Sequence, residues 1–227
     1  MIKQLINSLA ARMGYTILPT WRLRALPMAT RMRTIFAAKR IDTVIDVGAN
    51  KGQYYRFLRE TVGFDLAAAL KVKATADPRW IVHSKALGAE IGESSLNVMT
   101  ASDFSSFLQP RRDGSFSALN SVSRVEVVPI STLDVEFPDR NGLRTTYLKL
   151  DTQGFDLEVL RGGPIAASII PALQTEVAFE PIYEDMPDYV EALQEFRRRG
   201  FAVSDMFLVS QNEAGIAVDF DCIMVRR

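Results

Sequence analysis

The sequence predicts an α/β fold with a mostly parallel sheet, an antiparallel strand near the C-terminus and helices on both faces. Two segments carry this prediction, residues 42–53 and residues 147–163. Each begins as a short apolar run with strand character, passes through a glycine-containing loop and continues with helical spacing. A third observation is the predicted closing hairpin, whose strands cover residues 201–209 and 217–225.

Residues 1–41 are predicted to form a basic helical segment ahead of the main domain, residues 42–227. The segment contains eight Lys or Arg residues and no acidic residue. Its apolar residues fall on helical faces, for example Met28, Met32, Ile35 and Phe36. Such helices could pack on the domain or guide substrate entry, or dock on an anionic membrane surface or a partner. Nucleic acid is an unlikely partner, because aromatic residues are sparse there.

The first strand is predicted at Thr43–Val47, because β-branched residues dominate it. Gly48 allows the chain to turn without a Cβ clash, and Gly52 allows a close approach to a ligand. Helical spacing follows over residues 53–62, so the loop opens onto a helix N-terminus with free N–H groups. An ordinary strand-to-helix turn would give the same pattern.

The second motif repeats this order of elements. Residues 147–150 are predicted as a strand that ends at Asp151, and the helix that follows is closed by Gly162 and Gly163. Ligands of open α/β sheets bind outside the carboxyl ends of the strands. Asp46 and Asp151 are therefore expected to line one crevice.

The remaining elements follow from shorter patterns. Strands are predicted at residues 80–87, 94–99, 125–130 and 172–179, and a helix at residues 188–199. The Ser-rich residues 102–120 are expected to form a lid or substrate loop, with a solvated connection as the alternative. His83 would lie inside a strand, where a structural role is favoured over catalysis.

Composition limits the class of protein. A chain of 227 residues that is 48% hydrophobic and has no net charge can bury the core of one α/β domain. Cys222 is the only cysteine, which excludes an intrachain disulfide, and we expect it to be buried in a strand. No apolar run approaches the length of a transmembrane helix, and the expected location is cytoplasmic.

Four motifs together resemble the FkbM-type methyltransferases. They are residues 46–53 (DVGANKGQ), 86–88 (ALG), 149–162 (KLDTQGFDLEVLRG), and Glu176 followed by residues 181–183 (PIY). The resemblance implies a Rossmann-like class I domain over residues 42–227 that uses S-adenosylmethionine (SAM). It matches Asp46, Gly48, Asn50 and Gly52 to the SAM-binding loop, Leu87 to the strand exit near adenine, and Asp151 with Gly154 to the motif after the fourth strand.

One part of the family pattern is missing. About twenty residues after the glycine loop, a second strand should end in an acidic residue that holds the ribose hydroxyls. Here residues 62–64 run directly into residues 65–73, which resemble the next helix. Three interpretations remain open: a segment is missing from the sequence, the protein is a shortened variant, or Asp65 replaces the ribose ligand. A helix cap is the alternative role of Asp65.

The resulting hypothesis is SAM-dependent O-methylation of a hydroxyl group on a sugar or polyketide-like small molecule. Asp151 and Glu176 are the predicted catalytic proton acceptors, and Tyr183 is predicted to contact the substrate. Asp151 could instead orient its loop or bind the amino-acid part of SAM, and Glu176 could pair with Lys149. No His or Cys spacing requires a metal.

Two alternatives belong to other classes. A nicotinamide-dependent dehydrogenase is disfavoured, because the loop lacks the third glycine of G-x-G-x-x-G. A noncatalytic binding protein could use the same fold after losing its cofactor site together with the second strand.

Overall fold

The structure is a computed structural model that describes residues 10, 12–15, 23–64, 81, 83–113 and 121–227. Its strands form two sheets, of five and three strands. The strands are β1 (Thr43–Val47), β2 (Ala86–Leu87), β3 (Gly92–Met99), β4 (Val122–Ser131), β5 (Thr146–Leu150), β6 (Ala172–Ala178), β7 (Phe201–Gln211) and β8 (Ala217–Arg226). The α-helices are α1 (Leu26–Lys39), α2 (Gln53–Phe57), α3 (Leu133–Glu136), α4 (Asp156–Arg161), α5 (Pro164–Ile169) and α6 (Tyr189–Arg198). A π-helical turn, Leu58–Val62, continues α2, and Ser102–Phe104 and Gly142–Thr145 form 3₁₀ turns.

The larger sheet has the strand order β1-β5-β6-β8-β7. β1 pairs with β5 and β5 with β6 in parallel, whereas β8 runs antiparallel to both of its neighbours, β6 and β7. The predicted α/β class and the closing antiparallel hairpin are confirmed. The sheet is not mostly parallel as predicted, because β8 lies between β6 and β7 and makes two of the four pairings antiparallel. β1, β5 and β6 point the same way, so their carboxyl ends meet at one edge of the sheet.

The smaller sheet has the order β2-β4-β3, with β2 parallel and β3 antiparallel to β4. The two strands predicted at residues 94–99 and 125–130 are therefore confirmed, but they pair with each other outside the larger sheet. The strand predicted at residues 80–87 is wrong for the described residues 81 and 83–85, whereas Ala86 and Leu87 pair with β4. His83 and Lys85 are turned toward Glu136, with Nδ1 at 2.8 Å and Nζ at 2.9 Å from its carboxylate.

The larger sheet is packed on both faces, as the alternation of side chains along a strand requires. Leu148 and Leu150 of β5 face a core that includes residues of α4, α5 and α6. Tyr147, on the opposite face, packs with α1 and the π-helical turn. Cys222 is buried within β8, as predicted, and burial raises the pKa of its thiol to about 12.

Helix α1 belongs to the basic N-terminal segment. Its residues Met32, Ile35 and Phe36 are buried, which confirms the apolar face predicted there. Arg31 Nε lies 2.5 Å from Asp205 Oδ2, and Arg33 Nε donates to the Val62 carbonyl at 2.8 Å. These contacts attach the helix to the domain. The membrane or partner contact predicted for residues 1–41 stays a prediction. Among the described residues, no helix combines the length and apolar character needed to span a membrane.

Candidate active site

A cavity of about 1630 Å³ runs along β1 and past the carboxyl ends of β1 and β5. All five residues of β1 line it, and β2, β3 and β4 contribute to the opposite wall. Six of the predicted site residues line this cavity: Asp46, Gly48, Asn50, Leu87, Asp151 and Glu176. Gly52 and Tyr183 are absent from the lining that the described residues form, and Asp65 lies outside the described residues.

The glycine loop is shaped by a contact between two strand exits. Gly48 has a φ of 87°, and a Cβ atom there would lie 1.9 Å from the backbone oxygen of Asp151. The Asp151 N–H also donates to the Val47 carbonyl at 3.0 Å. Gly48 therefore lets the β1 exit approach the β5 exit. Gly52 has a φ of 76° and caps the N-terminus of α2, and the close ligand approach expected there stays a prediction.

Asn50 lies at the exposed tip of this loop. Its φ is 40°, a left-handed conformation that Asn adopts more readily than most residues. Its amide donates to Asp103 Oδ1, in the segment that follows β3. The tip of the loop is thereby joined to the opposite wall of the cavity.

Asp46, Asp151 and Glu176 form the acidic end of the cavity, and Lys149 lies among them. Its side chain is only 7% exposed, and Nζ donates to Asp151 Oδ2 at 2.8 Å. Nζ also lies 4.9 Å from the centre of the Tyr54 ring, within the range of a cation–π contact. Burial alone would lower the pKa of Lys149, but the neighbouring Asp151 and Asp46 raise it above its ordinary value. Lys149 is therefore an ammonium that partly neutralises the carboxyl groups around it.

Asp46 has an oxygen without a hydrogen bond. Its side chain is 4% exposed, and Oδ1 forms an ion pair with Lys149 Nζ at 3.5 Å but no well-aligned hydrogen bond. Burial raises the pKa of Asp46, and Lys149 lowers it in part. Buried polar atoms are nearly always hydrogen-bonded in native proteins, so a buried unpartnered oxygen on a cavity wall is a candidate acceptor for a ligand donor.

Glu176 and Asp151 are joined by Gln153. Its Nε2 lies 3.2 Å from Asp151 Oδ1 and 3.2 Å from Glu176 Oε2, and it donates to both. Burial, followed by the charges of Asp151 and Asp219, raises the pKa of Glu176 well above its ordinary value. The alternative pairing of Glu176 with Lys149 is not observed. In the described part of the chain, the carboxylates paired with Lys149 are Asp46 and Asp151.

Tyr183 lies behind this group and is 1% exposed. Its hydroxyl is 2.6 Å from the Phe104 carbonyl and 3.0 Å from Gln153 Oε1. The ring is buried and the hydroxyl faces protein groups, so the substrate contact of Tyr183 stays a prediction. Its geometry is that of a support for Gln153.

The sequence prediction overlooked several polar residues within buried strands. Gln174 Nε2 donates to Asp221 Oδ1 at 2.7 Å, and Tyr54 donates its hydroxyl proton to Gln174 Oε1 at 2.7 Å. Burial raises the pKa of Asp221 to about 6. The sequence contains a signal for such residues. Lys149, Gln174 and Asp221 each interrupt an apolar strand, and a buried polar group requires a hydrogen-bonding partner.

His83 is bound to Glu136 and lines the cavity, but it follows no strand exit. Within the described residues, no group of three or more His, Cys, Asp or Glu side chains has the arrangement of a metal site. The carboxyl groups around Lys149 accept hydrogen bonds from Lys149 and Gln153.

The cavity lies at the carboxyl ends of parallel strands, where α/β proteins bind their ligands, and comparison with known proteins identifies the family of the chain. A family model described as the methyltransferase FkbM domain matches residues 46–203, more than half of the chain. The chain therefore belongs to the FkbM methyltransferase family, which confirms the resemblance found in the sequence.

One solved structure is similar, the crystal structure of methyltransferase FkbM from Methylobacillus flagellatus KT. The TM-score is 0.49 and the sequence identity 13%, over 80% of this chain and 43% of that chain. This chain therefore spans less than half of the length of that protein. A search of curated proteins gave no match.

Proposed function

We propose that this chain transfers a methyl group from SAM to a hydroxyl oxygen of a sugar or polyketide-like small molecule. Membership of the FkbM methyltransferase family supports methyl transfer. The cofactor, the oxygen acceptor and the substrate class are the parts that we propose. The observation that carries them is the acidic end of the cavity, where Asp46 Oδ1 is buried without a hydrogen bond.

The residues present fit a cationic cofactor. SAM bears a positively charged sulfonium and an ammonium group, and when bound it supplies the electrophilic methyl group. Asp46, Asp151 and Glu176 line the cavity, with Lys149 as their buried cation. Asp46 Oδ1 would accept a hydrogen bond from the ammonium group, which removes the cost of leaving that oxygen unpaired.

The other proposed cofactor contacts come from loops around the same cavity. Gly48, Asn50 and Gly52 shape the loop after β1, and the apolar Leu87 lies on the cavity wall where adenine is expected. Asp65 as a ribose ligand remains a prediction, because it lies outside the described residues.

Asp151 and Glu176 are the proposed proton acceptors. The acceptor hydroxyl loses its proton as its oxygen attacks, and a base is most effective when its pKa lies near the working pH. The raised pKa of Glu176 moves this carboxyl toward that range. Asp151 is the more exposed of the two and is tied to Lys149, which suits a role in binding the cofactor or orienting the acceptor.

The test is a calorimetric titration of the full chain, its mass verified, with SAM and with S-adenosylhomocysteine. The wild type should bind SAM with one-to-one stoichiometry. Asp46→Asn keeps the size of the side chain but loses its charge, so SAM affinity should fall about tenfold or more, the loss expected for a hydrogen bond to a charged group.

The matched control is Asp42→Asn, which makes the same change just before β1. Asp42 is exposed and accepts a hydrogen bond from Thr43 Oγ1. Its replacement should leave SAM affinity unchanged. If Asp46→Asn binds SAM like the wild type, Asp46 is not a ligand. If the folded wild type binds neither compound, the chain is a noncatalytic binding protein.

A further inference from the structure

Gln153 combines an unusual backbone conformation with several hydrogen bonds to distant residues. It follows β5 with a φ of 53°, next to Gly154 with a φ of 89°. Left-handed backbone is unusual for a residue such as Gln, and such positions concentrate at functional sites. Its contacts come from four directions: Asp151, Glu176, Tyr183 and the hydroxyl of Ser106, which donates to the Gln153 carbonyl at 2.7 Å.

We propose that Gln153 is a positioning residue that holds Asp151 and Glu176 together at the cavity wall, with its amide held between these carboxyl groups and the Tyr183 hydroxyl. The proposal rests on the proposed function, in which one of these two carboxyl groups accepts the proton of the substrate hydroxyl. Gln153 is assigned no contact with substrate or cofactor.

An amide suits this position better than any other side chain of its size. Its nitrogen carries two hydrogens, one for each carboxylate, and its oxygen accepts a hydrogen bond. Ionised Asp151 and Glu176 can only accept hydrogen bonds, so they favour the amide nitrogen on their side, and the amide oxygen then faces the Tyr183 hydroxyl 3.0 Å away. A carboxylate at this position would offer no donor and would add a third negative charge.

The backbone of Gln153 connects the site to the wall formed after β3. Ser106 Oγ donates to the Gln153 carbonyl and accepts from the Leu108 N–H at 3.1 Å. Tyr183 extends the same connection, because its hydroxyl also lies 2.6 Å from the Phe104 carbonyl. The orientation of the two carboxyl groups is thereby tied to the 104–108 segment beside the cavity.

Loss of the amide has an electrostatic consequence for Glu176. Hydrogen bonds to an ionised carboxylate favour that form, so removing them raises its affinity for a proton. The titratable groups that act on Glu176 from neighbouring elements are Asp151, Asp156, Asp219 and Asp221, and Tyr183 and Lys149 lie in the same group of side chains. A substitution of Gln153 should therefore change the titration of Glu176 while these groups stay in place.

The experiment follows side-chain carboxyl signals by carbon-detected NMR over a pH series, in the full chain without cofactor. Glu176→Gln assigns the Glu176 signal. Gln153→Glu should raise the Glu176 midpoint by about one pH unit or more, because a donor is replaced by a like charge. Gln153→Ala and Tyr183→Phe should raise it by smaller amounts.

Gln211→Glu is the matched control, since Gln211 is exposed at the end of β7 and bonds only locally to the Gly215 carbonyl. It should leave the Glu176 midpoint unchanged. Thermal unfolding establishes that each variant is folded. If Gln153→Glu does not fold, Gln153→Ala and Tyr183→Phe decide the result. The proposal is overturned if the midpoint in the folded Gln153 variants equals that of the wild type.

A SAM titration of the same samples separates this inference from the proposed function. The Gln153 variants should bind SAM about tenfold more weakly than the wild type, since the orientation of Asp151 is lost. A wild type that does not bind SAM overturns the proposed function. The Glu176 midpoint still decides the role of Gln153, because that measurement requires no cofactor.

Discussion

The exits of β1 and β5 resemble each other in sequence but differ in structure. Each exit contains an aspartate, which is followed by a glycine-containing loop and then a helix. After β5, Gln153 is bonded to Asp151, Glu176 and Tyr183. After β1, the Asp46 oxygen Oδ1 has no hydrogen bond, and Asn50 is exposed at the tip of its loop.

This difference separates two tasks within one site. The β5 exit has its polar groups satisfied by the protein, so it is organised before any ligand binds. The β1 exit leaves an acceptor unsatisfied, which is what a binding contact requires. The exits meet at Gly48. Substitutions at Gly48 and on both sides of it therefore test whether the two exits differ in this way.

The largest effect is expected for Gly48→Ala. The new Cβ would lie 1.9 Å from the backbone oxygen of Asp151, and the φ of 87° is unfavourable for alanine. Since neither backbone can move without disturbing the sheet, the free energy of unfolding should fall by about 4 kcal/mol or more. Chemical denaturation measures this loss.

Gly215→Ala provides the control for backbone conformation alone. Gly215 has a φ of 78°, and nothing lies within 4 Å of the position that an added Cβ atom would occupy. Its replacement should cost about 1–2 kcal/mol. Equal losses at Gly48 and Gly215 would show that the two strand exits are not in tight contact.

Lys149→Met should have the next largest effect. The variant keeps the apolar stem but leaves Asp46 and Asp151 without their shared cation, so stability at neutral pH should fall by about 3 kcal/mol. Loss of the cation raises the folded-state pKa of Asp46 further. A carboxyl with a raised folded pKa binds protons more readily in the folded state, so the variant should regain stability as the pH falls.

Denaturation at about pH 7.5 and about pH 5 checks this pH dependence. The deficit of Lys149→Met should be smaller at the lower pH. Lys85→Met is the control, because Lys85 is exposed and binds the single carboxylate of Glu136, and it should cost less than about 1 kcal/mol. A deficit that grows on acidification would contradict the charge arrangement described for Lys149.

Local patterns were sufficient to predict much of the fold. Thr43–Val47, residues 147–150 and residues 172–179 were predicted as strands because their apolar residues are continuous or β-branched. The separate pairing of β3 with β4 was not predictable, since the choice of partner depends on residues distant in sequence. The strand prediction for residues 83–85 was wrong for a related reason, because His83 and Lys85 bind Glu136, which is distant in sequence.

Part of the site was also predictable from the sequence. Asp46, Asp151 and Glu176 were expected to converge because parallel strands end at one edge of a sheet, and all three line the cavity. The close approach of Gly48 to the Asp151 backbone and the burial of Tyr183 involve residues distant in sequence, which no local pattern encodes. Gln153 was within the recognised motif, but its bonds to two carboxylates became visible only in three dimensions.

The smallest effects are expected when glycine replaces Asn50 or Gln153, which both have positive φ values, of 40° and 53°. Glycine relieves similar backbone strain at each position. Asn50→Gly loses one exposed hydrogen bond to Asp103, so its stability should change by less than about 0.5 kcal/mol. Gln153→Gly loses the bonds to Asp151, Glu176 and Tyr183 and should cost about 2 kcal/mol.

Chemical denaturation of this pair measures how far the two exits differ in organisation. The strain relief is common to both variants, so the difference between their unfolding free energies reports the side-chain bonds alone. If Asn50→Gly were as costly as Gln153→Gly, the β1 loop would be as firmly organised by the protein as the β5 loop. A small loss at Asn50 would instead show that the β1 loop tolerates change when no ligand is bound, as expected for the side of the site that completes its contacts on binding.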